Sequence, residues 1–355
     1  MNGTVITEIG KEIYHFKSSE SDLHRNIYLK RFLGADGSAV NMIMDPGTSM
    51  DVPILAEVMN KLIGGTKNID LIFLSHQDPD VASNTHFLLA SSPDALVVTS
   101  TDTFRLVRMY GIPEKNFFLI DGQNNRIPEN LKQKTEISFI SAEFCHFKGA
   151  MMFYDYQSRI LFTGDFLGGI NTRLGDGIYA NEESFSGISL FHQIYMPSNT
   201  AIKHTVDRIL QLNPKPTTIA PQHGDVISGR NVPEFLKRIS KLDVGVDLAK
   251  VRDQQKETCI PVLNSILDTL METYPHVYLE LMSGLKRTGS FTPVFQFSGN
   301  TITEIKTGSE EALIHLWEAI KIITPQEKLI DIASYMAEIL EKYRLPVPPG
   351  VVPKT

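Results

Sequence analysis

The chain has 355 residues, enough for about two domains at roughly 150 residues each. Its composition, with 42% hydrophobic and 21% charged residues, is that of a globular protein and excludes wholesale disorder. The 34 Lys and Arg residues against 41 Asp and Glu residues give a net charge of -7, which argues against nucleic acid as a partner.

The two cysteines, Cys145 and Cys259, are too few for a disulfide framework or a four-cysteine metal site. They predict a reducing, cytoplasmic compartment. The N-terminus lacks the basic and apolar regions of a signal peptide, and no apolar run approaches the roughly 20 residues of a membrane helix. We therefore expect a cytoplasmic protein without a membrane partner.

The first part of the chain alternates strands and helices. From Thr4 to Asp45, runs rich in Val, Ile, Tyr and Phe separated by turn residues predict hairpin strands, and Val52–Ile63 has helical periodicity. Further strands are predicted at Ile69–Leu74, Ala95–Thr99, Glu136–Ile140, Ala150–Asp155, Arg159–Thr163 and Thr217–Ala220, and further helices near Ser83–Leu89, Thr103–Tyr110 and Thr200–Leu212. The pattern predicts an α/β architecture centred on sheet.

A second unit is predicted after about residue 250. It begins with a helix, continues with two strand-like runs at Val277–Leu281 and Pro293–Ile305, and ends with two amphipathic helices. The expected domains are therefore residues 1–250 and a small α+β unit over residues 255–355.

Metal-capable side chains follow the first buried strand of the α/β region. The segment Ser75-His76-Gln77-Asp78-Pro79-Asp80-Val81 places His76, Asp78 and Asp80 two positions apart, so they can converge from one side. Asp-Pro-Asp is also a common turn and helix N-cap sequence, and this segment alone leaves both interpretations open.

Three more strand ends carry such residues. His146 follows the strand at Glu136–Ile140, Asp165 ends the strand at Arg159–Thr163, and His223 follows the strand at Thr217–Ala220. Each residue alone is more often structural, but four such places at one topological position favour a metal site.

The order of these residues resembles the metallo-β-lactamase superfamily, over about residues 4–240. The resemblance implies a metallo-β-lactamase-like four-layer αββα sandwich with the ligands at one edge. The turn Met44-Asp45-Pro46-Gly47 is similar to a turn of that fold in which the aspartate supports the site.

Asp78 stands where hydrolytic members have histidine and the flavodiiron proteins have a carboxylate. The resemblance to flavodiiron proteins implies two iron ions: His76, Asp78 and His146 on one, Asp80 and His223 on the other, and Asp165 bridging them. A set of three histidines and three carboxylates suits iron or manganese better than an all-histidine zinc pocket does, although the sequence does not exclude zinc.

The chain departs from flavodiiron proteins at Val81, where their second-metal histidine stands. Water or a diatomic gas could fill that position, or Asn84 or His86 could close it. The segment Phe191–Ser198 resembles instead the oxygen-binding diiron proteins, a branch without flavin. There His192 or Tyr195 could donate a hydrogen bond to bound oxygen or hold a ligand in place, and the equal alternative is that Tyr195 packs under the sandwich.

No FMN is expected in this chain. Phe297-Ser298-Gly299-Asn300-Thr301 superficially resembles a flavodoxin phosphate loop, but strand-like residues follow it where a helix N-terminus should receive the phosphate, so a β-turn is predicted. Without a flavin, reduction of oxygen needs an external donor protein, whereas gas binding needs none. This favours a sensor, with residues 255–355 as an output, partner or dimerisation module.

Three functions compete. The first is a di-iron protein that binds or reduces oxygen or nitric oxide, as a sensor or a partner-dependent reductase. The second is a binuclear metal-dependent hydrolase of a thioester, lactone or phosphodiester, which the scarcity of histidine disfavours. The third is a scaffold with one metal or none, which the six matched ligand positions disfavour. Sequence alone leaves the gas, the signalling or donor partner and the oligomeric state open.

Overall fold

A computed structural model describes residues 4–18, 23–121, 136–170, 177–286 and 294–351 of the chain. The chain divides into two compact units, Met1–Val246 and Asp247–Thr355. Within the described residues, no helix is both long and apolar enough to cross a membrane.

In the part of the first unit that the structure describes, the strands form two sheets. The larger has seven strands side by side in chain order, antiparallel up to β4 and parallel from β4 to β7. These strands are β1 (Thr7–Gly10), β2 (Ile13–Lys17), β3 (Asn26–Leu33), β4 (Ala39–Met44), β5 (Leu71–Phe73), β6 (Leu96–Thr99) and β7 (Phe117–Leu119). The predicted hairpin region and the first buried strands are thus confirmed.

The smaller sheet has five strands in the order β12-β11-β10-β9-β8, and β10 and β11 are its parallel pair. They are β8 (Ile137–Ser141), β9 (Met151–Asp155), β10 (Ile160–Gly164), β11 (Thr218–Pro221) and β12 (Ile227–Ser228). Four of the five lie within a residue of the predicted strands, because each is an apolar run bounded by turn residues.

Helices cover the outer faces of both sheets. They are α1 (Val52–Ile63), α2 (Pro79–Ala82), α3 (Thr85–Ser91), α4 (Thr101–Val107), α5 (Ser184–Tyr195), α6 (Asn199–Gln211) and α7 (Asn231–Ile239). The helix predicted near Ser83–Leu89 corresponds to α3, and the short helix α2 precedes it. Helix α1 ends at Gly64, whose φ of 78° is the left-handed conformation that favours glycine.

Three apolar cores make this unit a four-layer sandwich. Phe73 of the larger sheet and Phe153 and Phe162 of the smaller one share the central core. Val58 of α1 packs in an outer core on the larger sheet, and Phe235 of α7 packs in an outer core on the smaller one. Helix, sheet, sheet and helix therefore follow one another, and the expected αββα architecture is confirmed.

The described residues of the second unit form four helices and one hairpin: α8 (Val246–Thr273), α9 (Pro275–Lys286), β13 (Phe295–Ser298), β14 (Thr301–Ile305), α10 (Ser309–Ile323) and α11 (Gln326–Lys342). Helix α8 begins at the last residue of the first unit. The β-turn predicted at residues 297–301 is the hairpin turn, in which Ser298 pairs with Thr301 and Gly299 has φ 62°. Residue 293 of the predicted run Pro293–Ile305 lies outside the described residues.

The strand predicted at Val277–Leu281 is wrong, because this segment lies in α9. Valine and tyrosine favour strands in isolation, but Val277, Tyr278, Leu281 and Met282 recur at helical spacing and form the buried face of the helix. Packing of that face overrides the local preference.

Candidate metal centre

The six predicted ligands lie where strands of both sheets end. His76, Asp78 and Asp80 follow β5, His146 lies in the loop between β8 and β9, Asp165 directly follows β10, and His223 follows β11. Because β5 is parallel to β4 and β6, and β10 is parallel to β11, the carboxyl ends of these strands face one edge of the sandwich. Topology thus brings residues far apart in the chain to one place.

Four of these side chains form the first group. Ligand atoms of His76, Asp78, His146 and Asp165 all lie within 4.8 Å of one another. His146 Nε2 is 3.1 Å from both Asp78 Oδ2 and Asp165 Oδ2. His76 Nε2 is 3.7 Å from Asp78 Oδ2 and 3.6 Å from Asp165 Oδ2. Two imidazole nitrogens and two carboxylate oxygens therefore converge on one point.

The second group shares Asp165 with the first. His223 Nε2 lies 3.2 Å from Asp80 Oδ2 and 3.7 Å from Asp165 Oδ1. Asp165 thus turns Oδ2 toward the first group and Oδ1 toward the second. A single carboxylate placed in this way has the arrangement required of a bridge between two cations.

The electrostatics of the site are those of closely opposed charges. Burial alone would raise the pKa of Asp165, but the charge of His76 and the hydrogen bond with His146 outweigh burial and lower that pKa to about 2. Burial alone would lower the pKa of His146, but Asp165 and Asp78 raise it to about 10. Carboxylates held ionised within a buried site require cations beside them, which are protons on histidine or bound metal.

Two buried ligand atoms fit a metal. His76 Nε2 and Asp165 Oδ1 are buried and have no hydrogen-bond partner among the described residues. Buried polar atoms are nearly always paired, so both positions need an occupant that binds nitrogen and oxygen donors. The donor set of imidazole and carboxylate is suited to iron or manganese.

Neighbouring groups orient the histidines by their Nδ1 atoms. His76 Nδ1 lies 2.9 Å from Ser75 Oγ, and the Ser75 amide donates to Asp45 Oδ1 at 2.8 Å. His223 Nδ1 lies 3.1 Å from the carbonyl oxygen of His24. A proton on Nδ1 leaves Nε2 as the atom that faces the other ligands. Asp45 thus supports the site through Ser75, and burial raises the pKa of Asp45 to about 6.

The segment after Val81 does not supply a seventh ligand. Val81 is buried in the outer core on the larger sheet. The Asn84 amide donates to the carbonyl oxygens of Pro46, at 3.0 Å, and Thr48, so it ties α3 to the Asp45 turn. His86 is exposed. The two side chains considered as replacements are therefore engaged or directed elsewhere.

His192 is not free to donate to a bound molecule. Its Nε2 accepts from the amide of Leu167, at 3.1 Å, and its Nδ1 donates to the Ile188 carbonyl, at 2.8 Å. Burial lowers the pKa of His192 to about 4, so the ring is neutral and keeps this tautomer. Donation to bound oxygen, the first predicted role, would require one of these two bonds to break, and the second role, holding a ligand in place, stays a prediction. What His192 does is hold the backbone two residues after Asp165.

Tyr195 lies at the rim of the site. Its ring centroid is 6.3 Å from that of His146 and 4.6 Å from that of Phe191, and the residue is 43% exposed. It therefore does not pack under the sandwich. A phenol in this position can reach a molecule that enters beside His146.

Three nearby residues were not identified from the sequence. Ser75 has a local signal, since a hydroxyl residue directly precedes the first histidine of the motif. Tyr110 has no local sequence signal. Burial and the charges of Asp78 and Asp80 raise its pKa, which places its hydroxyl near these carboxylates. Asn26 bonds the segment of His223 from the other sheet.

Fold and side chains together define the class: this is a metallo-β-lactamase-fold protein with a candidate metal-binding cluster at its strand ends. The chain belongs to the ODP family beta lactamase group, whose family model matches residues 25–224. No curated protein sequence matches the chain at a significant level.

Solved structures resemble this chain over about two thirds of its length. The apo state of the chemotaxis sensor ODP from T. denticola has a TM-score of 0.57 and 26% identity, over 70% of this chain and 99% of that one. A peroxy diiron species of chemotaxis sensor ODP has a TM-score of 0.55 and 26% identity, over 69% and 98%. A metal-soaked flavodiiron core from Synechocystis has a TM-score of 0.55 and 18% identity, over 68% and 60%, and shows the fold alone.

Proposed function

We propose that this chain holds two iron ions and uses them to sense dioxygen. The observation that carries the proposal is the placement of Asp165, which offers one carboxylate oxygen to each of two groups of ligands. Family membership and the 26% identical chemotaxis sensor support gas sensing over hydrolysis.

The distances within the two groups support the proposed ligand set. His76, Asp78 and His146 bind one iron, Asp80 and His223 bind the other, and Asp165 bridges them. Asp78 favours iron because its carboxylate replaces a third histidine at the first metal, and oxygen donors suit iron or manganese better than zinc. Besides the shared Asp165, three side chains would hold the first ion and only two, Asp80 and His223, would hold the second, so the second ion would be the one more accessible to a small molecule.

Two ferrous ions supply the electrons with which oxygen can be bound or reduced. Two residues of the chain, Tyr195 and His192, have roles at the rim of the site and behind Asp165. Tyr195 stands at the rim beside His146, where its hydroxyl can donate to a molecule that enters. His192 keeps the Asp165 segment in place through the Leu167 amide. We further propose that the second unit, residues 247–355, transmits the state of the site to a signalling partner.

The first experiment is metal analysis of protein purified without oxygen, followed by absorption spectra before and after air or nitric oxide is added. Two irons per chain and a new near-ultraviolet or visible band with air support the proposal. Two zinc ions and no spectral change would contradict it and favour a hydrolase. A band that appears with nitric oxide and not with air would identify nitric oxide as the gas and leave the proposed metal site unchanged.

Substitutions test the ligand assignment. Asp165→Ala is expected to lose both metals because the bridge holds the pair together, whereas His223→Ala is expected to lose mainly the second. His86→Ala is the matched control, since it removes an exposed histidine of the same unit. Two full metal equivalents in Asp165→Ala would refute the assignment.

A further inference from the structure

Two glutamines occupy equivalent positions beside the two groups of ligands. Gln77 directly follows His76, and its Nε2 donates to Asp78 Oδ1 at 2.7 Å. Gln222 directly precedes His223, and its Nε2 donates to the backbone carbonyl of Asp80 at 3.3 Å. Each glutamine is therefore adjacent in sequence to a histidine of one group and hydrogen-bonded to an aspartate of the same group.

The bonds determine which way each amide is turned. The reversed amide of Gln77 would set its oxygen against a carboxylate oxygen, and that of Gln222 would set its oxygen against a carbonyl oxygen. In the favourable orientation, both Oε1 atoms are buried and meet no hydrogen-bond donor among the described residues. A buried acceptor without a donor is unfavourable, so the stabilising contribution of these amides lies in their Nε2 bonds.

We propose that Gln77 and Gln222 are positioning residues, each specific for one metal: Gln77 for the first and Gln222 for the second. The inference rests on the proposed function, because it assumes that the two groups bind metals. Gln77 bonds Oδ1 of Asp78, whereas Oδ2 of Asp78 lies beside His146. The Gln77 amide thus orients the carboxylate so that Oδ2 is the oxygen offered to the first metal.

The action of Gln222 is less direct. Its backbone is held between the two sheets, because its amide donates to the Gly164 carbonyl at 2.8 Å and its carbonyl accepts from the Asn26 amide at 2.6 Å. From this fixed point its side chain reaches the backbone of Asp80 and not the carboxylate. Gln222 thus joins the segments of Asp80 and His223, and we expect its loss to weaken the second metal less than the loss of Gln77 weakens the first.

The test uses Mn²⁺ binding to the metal-free full-length chain, followed by calorimetry and by the electron paramagnetic resonance of unbound Mn²⁺. Gln77→Met and Gln222→Met keep side-chain length and remove the donor, and Gln211→Met, an exposed glutamine on α6, is the control. Loss of an outer hydrogen bond typically weakens metal binding about 10–100-fold, which is the effect expected for Gln77→Met.

Background variants assign the effect to one metal. In a His223→Ala chain, which keeps the first group intact, Gln77→Met should weaken the remaining Mn²⁺ and Gln222→Met should not. In a His146→Ala chain the two effects should reverse. The melting temperature of each metal-free variant should stay close to that of its parent, because methionine removes the Nε2 bond together with the buried Oε1 that has no donor, and these two effects oppose each other.

The outcomes separate the two proposals. If the unsubstituted chain binds two Mn²⁺ ions and both glutamine variants bind them with unchanged affinity, the positioning role is overturned and the metal site stands. Equal weakening of both sites together with a lower metal-free melting temperature also overturns it, because that pattern indicates a structural role. If the unsubstituted chain binds fewer than two ions, the proposed function fails and the inference fails with it.

Discussion

The segment that carries His223 depends on one buried amide of the opposite sheet. Asn26 of β3 is fully buried, and its Nδ2 donates to the carbonyl oxygens of Pro221 and Gly224, both at 2.9 Å. Its Oδ1 lies 2.8 Å from His15 Nε2, which is the donor because the amide hydrogens of Asn26 are already used. We therefore expect Asn26→Leu to destabilise the fold and to weaken binding of the second metal.

The expected loss of stability in Asn26→Leu depends on which hydrogen bonds its three partners, Pro221, Gly224 and His15, retain in the variant. Pro221 still accepts from the Tyr28 hydroxyl and Gly224 keeps its contact with His24, so each of these bonds lost costs about 1 kcal/mol. His15 Nε2 is left buried without an acceptor, which costs about 1–3 kcal/mol. The free energy of unfolding of Asn26→Leu should therefore fall by about 3–5 kcal/mol.

Urea unfolding followed by far-ultraviolet circular dichroism measures this change, and hydrogen exchange over residues 218–228 shows where it acts. The control is a double-mutant cycle with His15→Phe. Removing both partners also removes the unpaired imidazole, so the double variant should be less destabilised than the sum of the two single variants. A loss below about 1 kcal/mol in Asn26→Leu, or strict additivity in the cycle, would refute the reasoning.

Three further predictions concern pH, backbone conformation and metal removal. Burial lowers the pKa of His15 to about 4. Between about pH 6.5 and pH 4 only the unfolded chain takes up this proton, so the free energy of unfolding falls over that range. Between pH 7 and pH 4.5, His15→Gln should therefore lose about 2–3 kcal/mol less of this free energy than the unsubstituted chain does. Gly47 has φ 79°, and a Cβ there would lie 2.4 Å from Asp51 Oδ2, so Gly47→Ala should cost more than the roughly 1–2 kcal/mol of the left-handed backbone alone. Removing the metals with a chelator should lower stability by about 2.7 kcal/mol for each metal whose free concentration had been a hundredfold above its Kd.

Each of these predictions has a control. Acid titration of stability in the unsubstituted chain is compared with that of His15→Gln, and parallel curves would contradict the pKa argument. Gly37→Ala is the matched control for Gly47, since Gly37 also has φ 79° but no atom within 4 Å of an added Cβ; equal losses would exclude the contact with Asp51. If the chelator lowers the thermal stability of Asp165→Ala as much as that of the unsubstituted chain, the effect of the chelator does not come from the metal site.

The position of the site was predictable because its signal is local. His76, Asp165 and His223 each follow a short segment whose β-branched and apolar residues predict a buried strand, and the structure brings all three to one edge. The supporting contacts were not predictable. Asn26 lies 195 residues from Pro221, and no periodicity or motif in either segment indicates that they touch.

Amino-acid sequence alone determined the α/β layering, the small α+β unit and the order of the metal-capable residues, because these depend on hydrophobic period and on residues near one another in the chain. Tertiary structure alone decided that Val277–Leu281 is helical, that Asn84 faces the Asp45 turn, and that His192 is engaged through both ring nitrogens. The physical reason is that burial and hydrogen-bond partners of such side chains come from distant segments, and local preference yields to them when the layers pack.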